Sequence, residues 1–339
     1  MRTLKAIILE KHAQVETRPL KLTELPRPVP QKNQMLVKIK CCGLCHTDID
    51  EIEGRLKPPK LPIVPGHQIV GTVEKNGTGA KKLKIGDRVG ITWLNSCCDN
   101  CAFCKSGREN LCQSAKWTGL DVNGGYAEYT VIDENFAYPI PDVFSDVEAA
   151  PLLCAGLIGY RAIKLLEPAD RWKIGLFGFG ASAHIVIQIL KYCFPNIKIL
   201  VFTRSKEHQE YAMTLGADWA GNTEDKSTEK LDGAIDFTPS GKIIPLIMQK
   251  LDRGGKLVIN AIRKTETIDG LDYAEHLWHE KIIQSAANVT RSDANEFLPL
   301  AAQIPIRPVV EEFALEQAND ALILSKQSKL KAAACLKIF

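Results

Sequence analysis

Apolar positions follow two different rhythms along the chain. Before Pro151 they come in short runs, several alternating with polar residues: LVKIKCCGLC (36–45), IVGTVEKNG (69–77), KIGDRVGI (84–91) and GGYAEYTVI (124–132), with glycine and proline between them. Alternation with period two, bounded by turn residues, predicts short strands. Many such strands in series predict a barrel or a sandwich. At 147–166, VEAAPLLCAGLIGYRAIKLL is built of small and aliphatic residues and predicts helix. Beyond it, strand-like and helix-like segments alternate: KIGLFGFG, ASAHIVIQILKYC, KILVFT, KEHQEYAMTLG, LDGAIDFT and GGKLVINA. That order predicts a parallel sheet with helices on its faces. Near residue 290 the pattern turns mixed, and PVVEEFAL (308–315) and KAAACLKIF (331–339) read as strands that return to the first domain. The expected division is a β-rich domain at 1–155, an α/β domain at 156–290 and a return segment at 291–339.

Composition narrows the class. A chain of 339 residues, 45% hydrophobic and 24% charged, is long enough for two globular domains. The net charge of +3 gives no reason to expect a nucleic-acid or membrane partner. The first apolar run, AIIL, is too short for a secretory signal, and no stretch reads as a membrane span, so a cytoplasmic protein is expected. Eleven cysteines in a reducing compartment point to metal or catalysis before disulfides.

The segment KIGLFGFGASAHIVIQ carries Gly178-x-Gly180-x-x-Ala183 between an apolar strand and a helix. The glycines allow a tight turn and let the backbone approach a pyrophosphate, and the helix N-terminus supplies free N–H groups. The same turn occurs without a ligand; the strand–turn–helix–strand context favours a dinucleotide and a Rossmann-type doubly wound sheet. The next strand ends at Thr203-Arg204-Ser205-Lys206, with no acidic residue before Glu207. A carboxylate there would accept the ribose hydroxyls of NAD; Arg204 and Ser205 instead suit a 2′-phosphate. NADP is the expected preference, with NAD possible.

Cys98, Cys101, Cys104 and Cys112 are spaced CxxCxxCx7C within 97–112. Four thiolates on one short lobe can close around Zn²⁺ with no open position, which is a structural site. The spacing differs from the common ferredoxin patterns, and no basic or aromatic run suggests a nucleic-acid ribbon.

CGLCHTDID (42–50), PGHQIVGTV (65–73), the four-cysteine lobe, GGYAEY (124–129), PLLCAG (151–156) and the later GxGxxA together resemble the zinc-dependent alcohol dehydrogenases, which are medium-chain dehydrogenase/reductases. The resemblance runs in order over nearly the whole chain, and WLNSCCDNCAFC with LLCAG is similar to the shorter microbial tetrameric forms. It implies a GroES-like catalytic domain beside the Rossmann domain. It also implies hydride transfer between a small primary alcohol, or its aldehyde, and NADP(H) or NAD(H), with zinc as Lewis acid. By the same resemblance Cys45, His67 and Cys154 are the ligands of a second, catalytic zinc with an open fourth position. Thr47 then bonds the substrate oxygen, Asp48 orients His67, His46 meets the cofactor pyrophosphate and Trp93 lines the substrate pocket. The chain departs from the family twice. Gln68 replaces a common glutamate, and Asp50 stands where a histidine often ends the proton relay. The resemblance further implies a homo-oligomer, dimer or tetramer, paired through the cofactor domain. Cys41, Cys42, Cys97, Cys193 and Cys335 read as small buried hydrophobes.

Two other readings compete. One is a reductase of bulkier aromatic aldehydes, of the cinnamyl alcohol dehydrogenase type. The other is a zinc-bearing, non-catalytic protein on the same scaffold, against which the retained Cys45–His67–Cys154 set argues.

Overall fold

The computed structural model describes residues 2–225, 229–304, 306–330 and 333–339. The chain divides into two compact units, Met1–Cys154 with Asn288–Phe339, and Ala155–Ala287.

The first unit is built on the long strand Gln34–Leu44, QMLVKIKCCGL. It pairs antiparallel with Gln68–Asn76 along one edge. On the other edge it takes Tyr129–Asp133 along its first half and Ala333–Lys337 along its second. Val310–Ala314 extends the sheet beyond Ala333–Lys337, and Arg88–Ile91 and Ala137–Pro139 extend it beyond Gln68–Asn76. Both returning segments therefore form strands of this unit; Lys331 and Ala332, at the head of the predicted 331–339 strand, lie outside the described residues. Register shifts at Leu36/Val37 and Ile39/Cys41 mark bulge-like irregularities in that pairing, with Glu74 the extra residue on the partner strand and Lys40 the extra residue on the central one. It is buried on both faces over Cys41–Leu44, because the helix Asp146–Pro151 packs on it, so simple alternation understates its burial. Met35, Val37, Ile39, Ile69, Val73, Val89 and Ile91 form its core. GGYAEYTVI is strand only from Tyr129. Gly124, Gly125 and Tyr126 instead hydrogen-bond to the backbone of Val64, Gly66 and Pro65.

The second unit holds a six-stranded sheet whose strands pair in parallel throughout. Lys173–Phe177 lies at its centre. Lys198–Phe202 and Trp219–Gly221 run outward on one side; Leu231–Asp236, Leu251–Ile259 and Ile282–Ser285 run outward on the other. The apolar runs IGLF and ILVF are buried, as parallel strands covered on both faces require. The order reverses on the two sides of Lys173–Phe177, so the turn that follows this strand sits at the topological switch point, where doubly wound sheets bind ligands.

The predicted helix at 147–166 runs from Asp146 to Leu166, interrupted by a π-helical turn at Leu152–Gly156. It is the one described helix long and apolar enough to cross a membrane, and 61% of its most apolar window is buried in the protein, the signature of a core helix.

Candidate active site

Three distant segments bring Cys45, His67 and Cys154 together in the first unit. Cys45 directly follows the central strand and caps the helix His46–Ile52, its sulfur accepting from the Thr47 N–H at 3.5 Å. His67 follows Gly66, whose φ of +94° turns the chain, and Gly66 has no room for a side chain: a Cβ there would meet the Tyr126 ring at 2.4 Å. Cys154 lies in the π turn LLCAG, just after a proline that supplies no backbone N–H. The donor atoms of all three lie within 4.8 Å of one another. The two sulfurs are 3.8 Å apart. Two sulfurs bound about 2.3 Å from a tetrahedral zinc stand about 3.8 Å apart, whereas a disulfide needs about 2.0 Å.

The electrostatics also fit a cation. Burial alone would push His67 down, but the Asp48 carboxylate and the Cys45 sulfur outweigh it and hold the ring well above its usual range. A hydrogen bond from Cys154, aided by His67, holds the Cys45 thiol well below its range against burial, and Cys154 is held up in turn. Asp48 is fully buried and engaged on both oxygens. Oδ2 accepts from the Cys45 N–H at 2.7 Å and the Tyr126 hydroxyl at 3.1 Å, and Oδ1 lies 3.1 Å from His67 Nδ1. The contact at Nδ1 is an ion pair, and both ring nitrogens are buried without a hydrogen-bond partner among the described residues; with Asp48 beside Nδ1, Nε2 is the nitrogen left for a metal.

The other site residues fall into two groups. Thr47 is buried, its hydroxyl 3.5 Å from Cys45 Sγ. Trp93 is half-buried with its ring centroid 5.9 Å from that of His67. Gln68 is buried over Gly43. Asp50 is buried but engaged by Arg55, whose Nε donates to Oδ1 at 2.6 Å, and His46 is exposed. Two neighbours escaped the sequence reading. Tyr126 comes from the GGYAEY motif, and Glu51 lies one helical turn beyond Asp48. Glu51 is 2% exposed and accepts from Trp93 Nε1 at 3.2 Å. Burial, then the Asp48 charge, pushes its carboxyl well above the usual range. The helical spacing 45, 48, 51 was the available signal.

The cysteine lobe forms a second cluster. Its four sulfurs lie within 4.8 Å of one another, with Cys98–Cys104 at 3.8 Å and Cys101–Cys104 and Cys98–Cys112 at 3.5 Å. The N–H groups of Asn100 and Cys101 bring the Cys98 thiol down to about 6, the thiolate state a metal needs. Arg291 ties the lobe to the returning helix, donating to Asp99 at 2.8 Å and to Glu109 at 3.2 Å. Of the remaining cysteines Cys41, Cys42 and Cys335 are buried as expected; Cys97 is only half-buried, and Cys193 is exposed near the end of the helix Ala181–Cys193, a correction to its reading as a buried hydrophobe.

In the second unit Gly178 adopts φ +81° after the central strand, and Gly180 caps the helix Ala181–Cys193 without any side-chain bond. A Cβ at Gly180 would meet nothing within 4 Å, and no side chain caps the first N–H groups of the helix, the arrangement that suits a phosphate; Ala183 is buried. Thr203 is buried; Arg204, Ser205 and Lys206 are exposed at the tip of the neighbouring strand. Ser205 caps the helix Lys206–Thr214, accepting from the His208 N–H at 3.3 Å.

A β-rich unit with two thiolate clusters and a Rossmann-type unit with an open glycine turn define a medium-chain dehydrogenase. Comparison with known proteins agrees. Residues 31–142 match the alcohol dehydrogenase GroES-like domain. The chain is 39% identical over 343 residues to the probable alcohol dehydrogenase AdhA of Mycobacterium tuberculosis, covering 99% of this chain and 98% of that protein. It is 33% identical over 328 residues to an alcohol dehydrogenase of Geobacillus stearothermophilus, covering 94% and 96%. A cobalt- and zinc-bound thermostable alcohol dehydrogenase from Pyrobaculum aerophilum shares the fold with a TM-score of 0.89 at 23% identity, covering 99% of this chain and 100% of that one. The chain belongs to the medium-chain alcohol dehydrogenase family and is an oxidoreductase.

Proposed function

We propose that the protein is a zinc-dependent alcohol dehydrogenase and aldehyde reductase acting on small primary alcohols, with two zinc ions per chain and a preference for NADP over NAD. The observation that carries this is the Cys45–His67–Cys154 set: three buried or half-buried donors at metal-ligand spacing, with no fourth donor in the group among the described residues. Zinc there would supply the Lewis acid that makes a substrate hydroxyl acidic. A nicotinamide cofactor, its pyrophosphate on Gly178, Gly180 and the helix beginning at Ala181 and its 2′-phosphate near Thr203, Arg204 and Ser205, would take the hydride.

The chain's own residues have these roles in the proposal. Asp48 keeps Nδ1 of His67 occupied so that Nε2 stays a ligand. Thr47 accepts the hydrogen bond of the substrate hydroxyl and starts its proton toward water. Asp50 ends that relay only when its pair with Arg55 opens, and an unchanged pH–rate profile in Asp50→Asn would remove it. His46 serves the pyrophosphate, and Trp93 walls the pocket against bulky substrates. The lobe Cys98, Cys101, Cys104 and Cys112 holds the structural zinc.

A cytoplasmic homo-oligomer completes the proposal. Ile282–Ser285 is an edge strand; Ile282 on it, and Tyr273 and Trp278 in the segment that leads into it, are exposed. A monomer by light scattering would remove the oligomer.

The test is the initial rate of 1-propanol oxidation by zinc-loaded protein with NADP and with NAD. Faster turnover with NADP is expected. Faster turnover with NAD would overturn the cofactor preference and keep the chemistry. Better reduction of cinnamaldehyde than of propanal would replace the small-alcohol reading with the aromatic one.

A further inference from the structure

Glu51 is a carboxyl where a hydrocarbon would pack more cheaply. It sits in the interior of the first unit on the short helix that starts at Cys45, and it is 2% exposed. Burying such a group is unfavourable unless its oxygens are bonded. The side-chain donor that reaches it is Trp93 Nε1, at 3.2 Å from Oε1; Oε2 is buried without a hydrogen-bond partner among the described residues. The carboxyl's engagement is therefore with one ring.

That ring packs against one of the candidate zinc ligands. Trp93 lies between His67, at 5.9 Å between centroids with the rings tilted by 46°, and Trp117, at 4.9 Å and stacked. Its carbonyl also accepts from the Thr118 N–H at 2.7 Å, which fixes the backbone but not the ring. An indole has two broad χ2 wells, and turning between them exchanges the pyrrole and benzo edges against whatever it faces. Stacking on Trp117 tolerates either well. The bond from Nε1 does not, because an indole has a single donor.

We infer that Glu51 is a positioning residue for substrate selection: by holding Trp93 Nε1 it fixes which edge of the indole faces the Cys45–His67–Cys154 centre, and so the space left for an alcohol or aldehyde. The inference rests on the alcohol dehydrogenase reading of that centre. Glu51 touches neither the substrate nor the reacting atoms in this account and acts through the ring.

The test compares kcat and KM for 1-propanol and cinnamyl alcohol in Glu51→Leu, which removes the acceptor, and in Glu51→Gln, which keeps one. Glu51→Leu is expected to move the ratio of the two kcat/KM values toward cinnamyl alcohol by about tenfold, chiefly through KM, with Glu51→Gln within about twofold of the parent. In a Trp93→Phe background, which has no indole N–H, Glu51→Leu is expected to leave the ratio unchanged. An unchanged ratio in Glu51→Leu at full zinc content overturns the inference, as does a shift that persists in the Trp93→Phe background. The indole N–H resonance of Trp93, assigned by its loss in Trp93→Phe, is expected to exchange slowly with solvent in the unsubstituted protein. Rapid exchange there overturns the clamp whether or not Glu51→Leu folds. Turnover of neither alcohol by the unsubstituted protein would sink the functional reading instead, and the resonance would still report on the clamp.

Discussion

At the scale of single residues, charge in the interior is what marks function in this molecule. Asp48 is fully buried, yet the Cys45 N–H, the Tyr126 hydroxyl and the His67 ring all address it. His184 shows the opposite solution, a titratable ring kept neutral. Burial, with the neighbouring His208, lowers it from 6.5 to about 4, and its Nε2 lies 3.1 Å from the Phe179 carbonyl oxygen. Because its folded value is depressed, the unfolded chain binds the extra proton between about 6.5 and 4. Stability from this group is therefore complete above about pH 6.5 and is lost as the pH falls toward 4, by on the order of 2 kcal/mol after allowing for partial exposure. Urea midpoints of the parent and of His184→Phe, compared at pH 7 and pH 4.5, check this. The parent is expected to lose more stability than the variant, and equal losses would dismiss His184 as the cause.

At the scale of elements, the quoted motifs turn out to be partners. PGHQ and GGYAEY are some 60 residues apart, yet Gly124, Gly125 and Tyr126 donate to Val64, Gly66 and Pro65 at 2.7, 2.8 and 3.0 Å. A Cβ on Gly124 would fall 2.1 Å from the Gly66 carbonyl oxygen, a backbone atom with nowhere to go. Gly124→Ala is expected to cost about 3 kcal/mol or more and to displace His67 with its loop. Gly254→Ala is the control: Gly254 has φ +71° but open space where a Cβ would be, so a cost of about 1 kcal/mol is expected. Thermal melts of both variants decide the point, and similar losses would mean that backbone angle, rather than the close approach, sets the cost. This pairing explains what the sequence could disclose. Hydrophobic rhythm was enough for the strands Lys173–Phe177 and Lys198–Phe202, because parallel strands covered on both faces are apolar throughout. It misread GGYAE as strand, since two adjacent glycines there serve a backbone contact with a distant loop that local pattern cannot register. The metal-like spacing of the lobe was legible because its four sulfurs lie within one short segment. Cys45, His67 and Cys154 have no such spacing, and only resemblance joined them before the fold did. Glu51 belongs to neither kind, since its role depends on Trp93, 42 residues away.

At the scale of the whole molecule, the two thiolate clusters differ in how a metal would leave them. The lobe offers four sulfurs and includes the exposed Cys98, but a closed four-coordinate site gives a chelator no vacancy to enter. The Cys45–His67–Cys154 group offers three donors, so a metal held there would keep a fourth position for a small chelating acid, even though His67 is buried. Exposure alone would have the lobe emptied first; coordination number predicts the reverse, and exchange that begins by adding a ligand should follow coordination number. Purified protein is therefore expected to carry two zinc ions per chain. Dipicolinate is expected to remove one quickly, with loss of alcohol oxidation and little change in melting temperature. The second should leave slowly and lower the melting temperature sharply, because Arg291 couples the lobe to the returning helix through Asp99 and Glu109. Metal content, rate and melting temperature followed in one time course separate the two losses. A single zinc in fully active protein, or activity and melting temperature falling together with the first ion released, would contradict the division into an open catalytic site and a closed structural one.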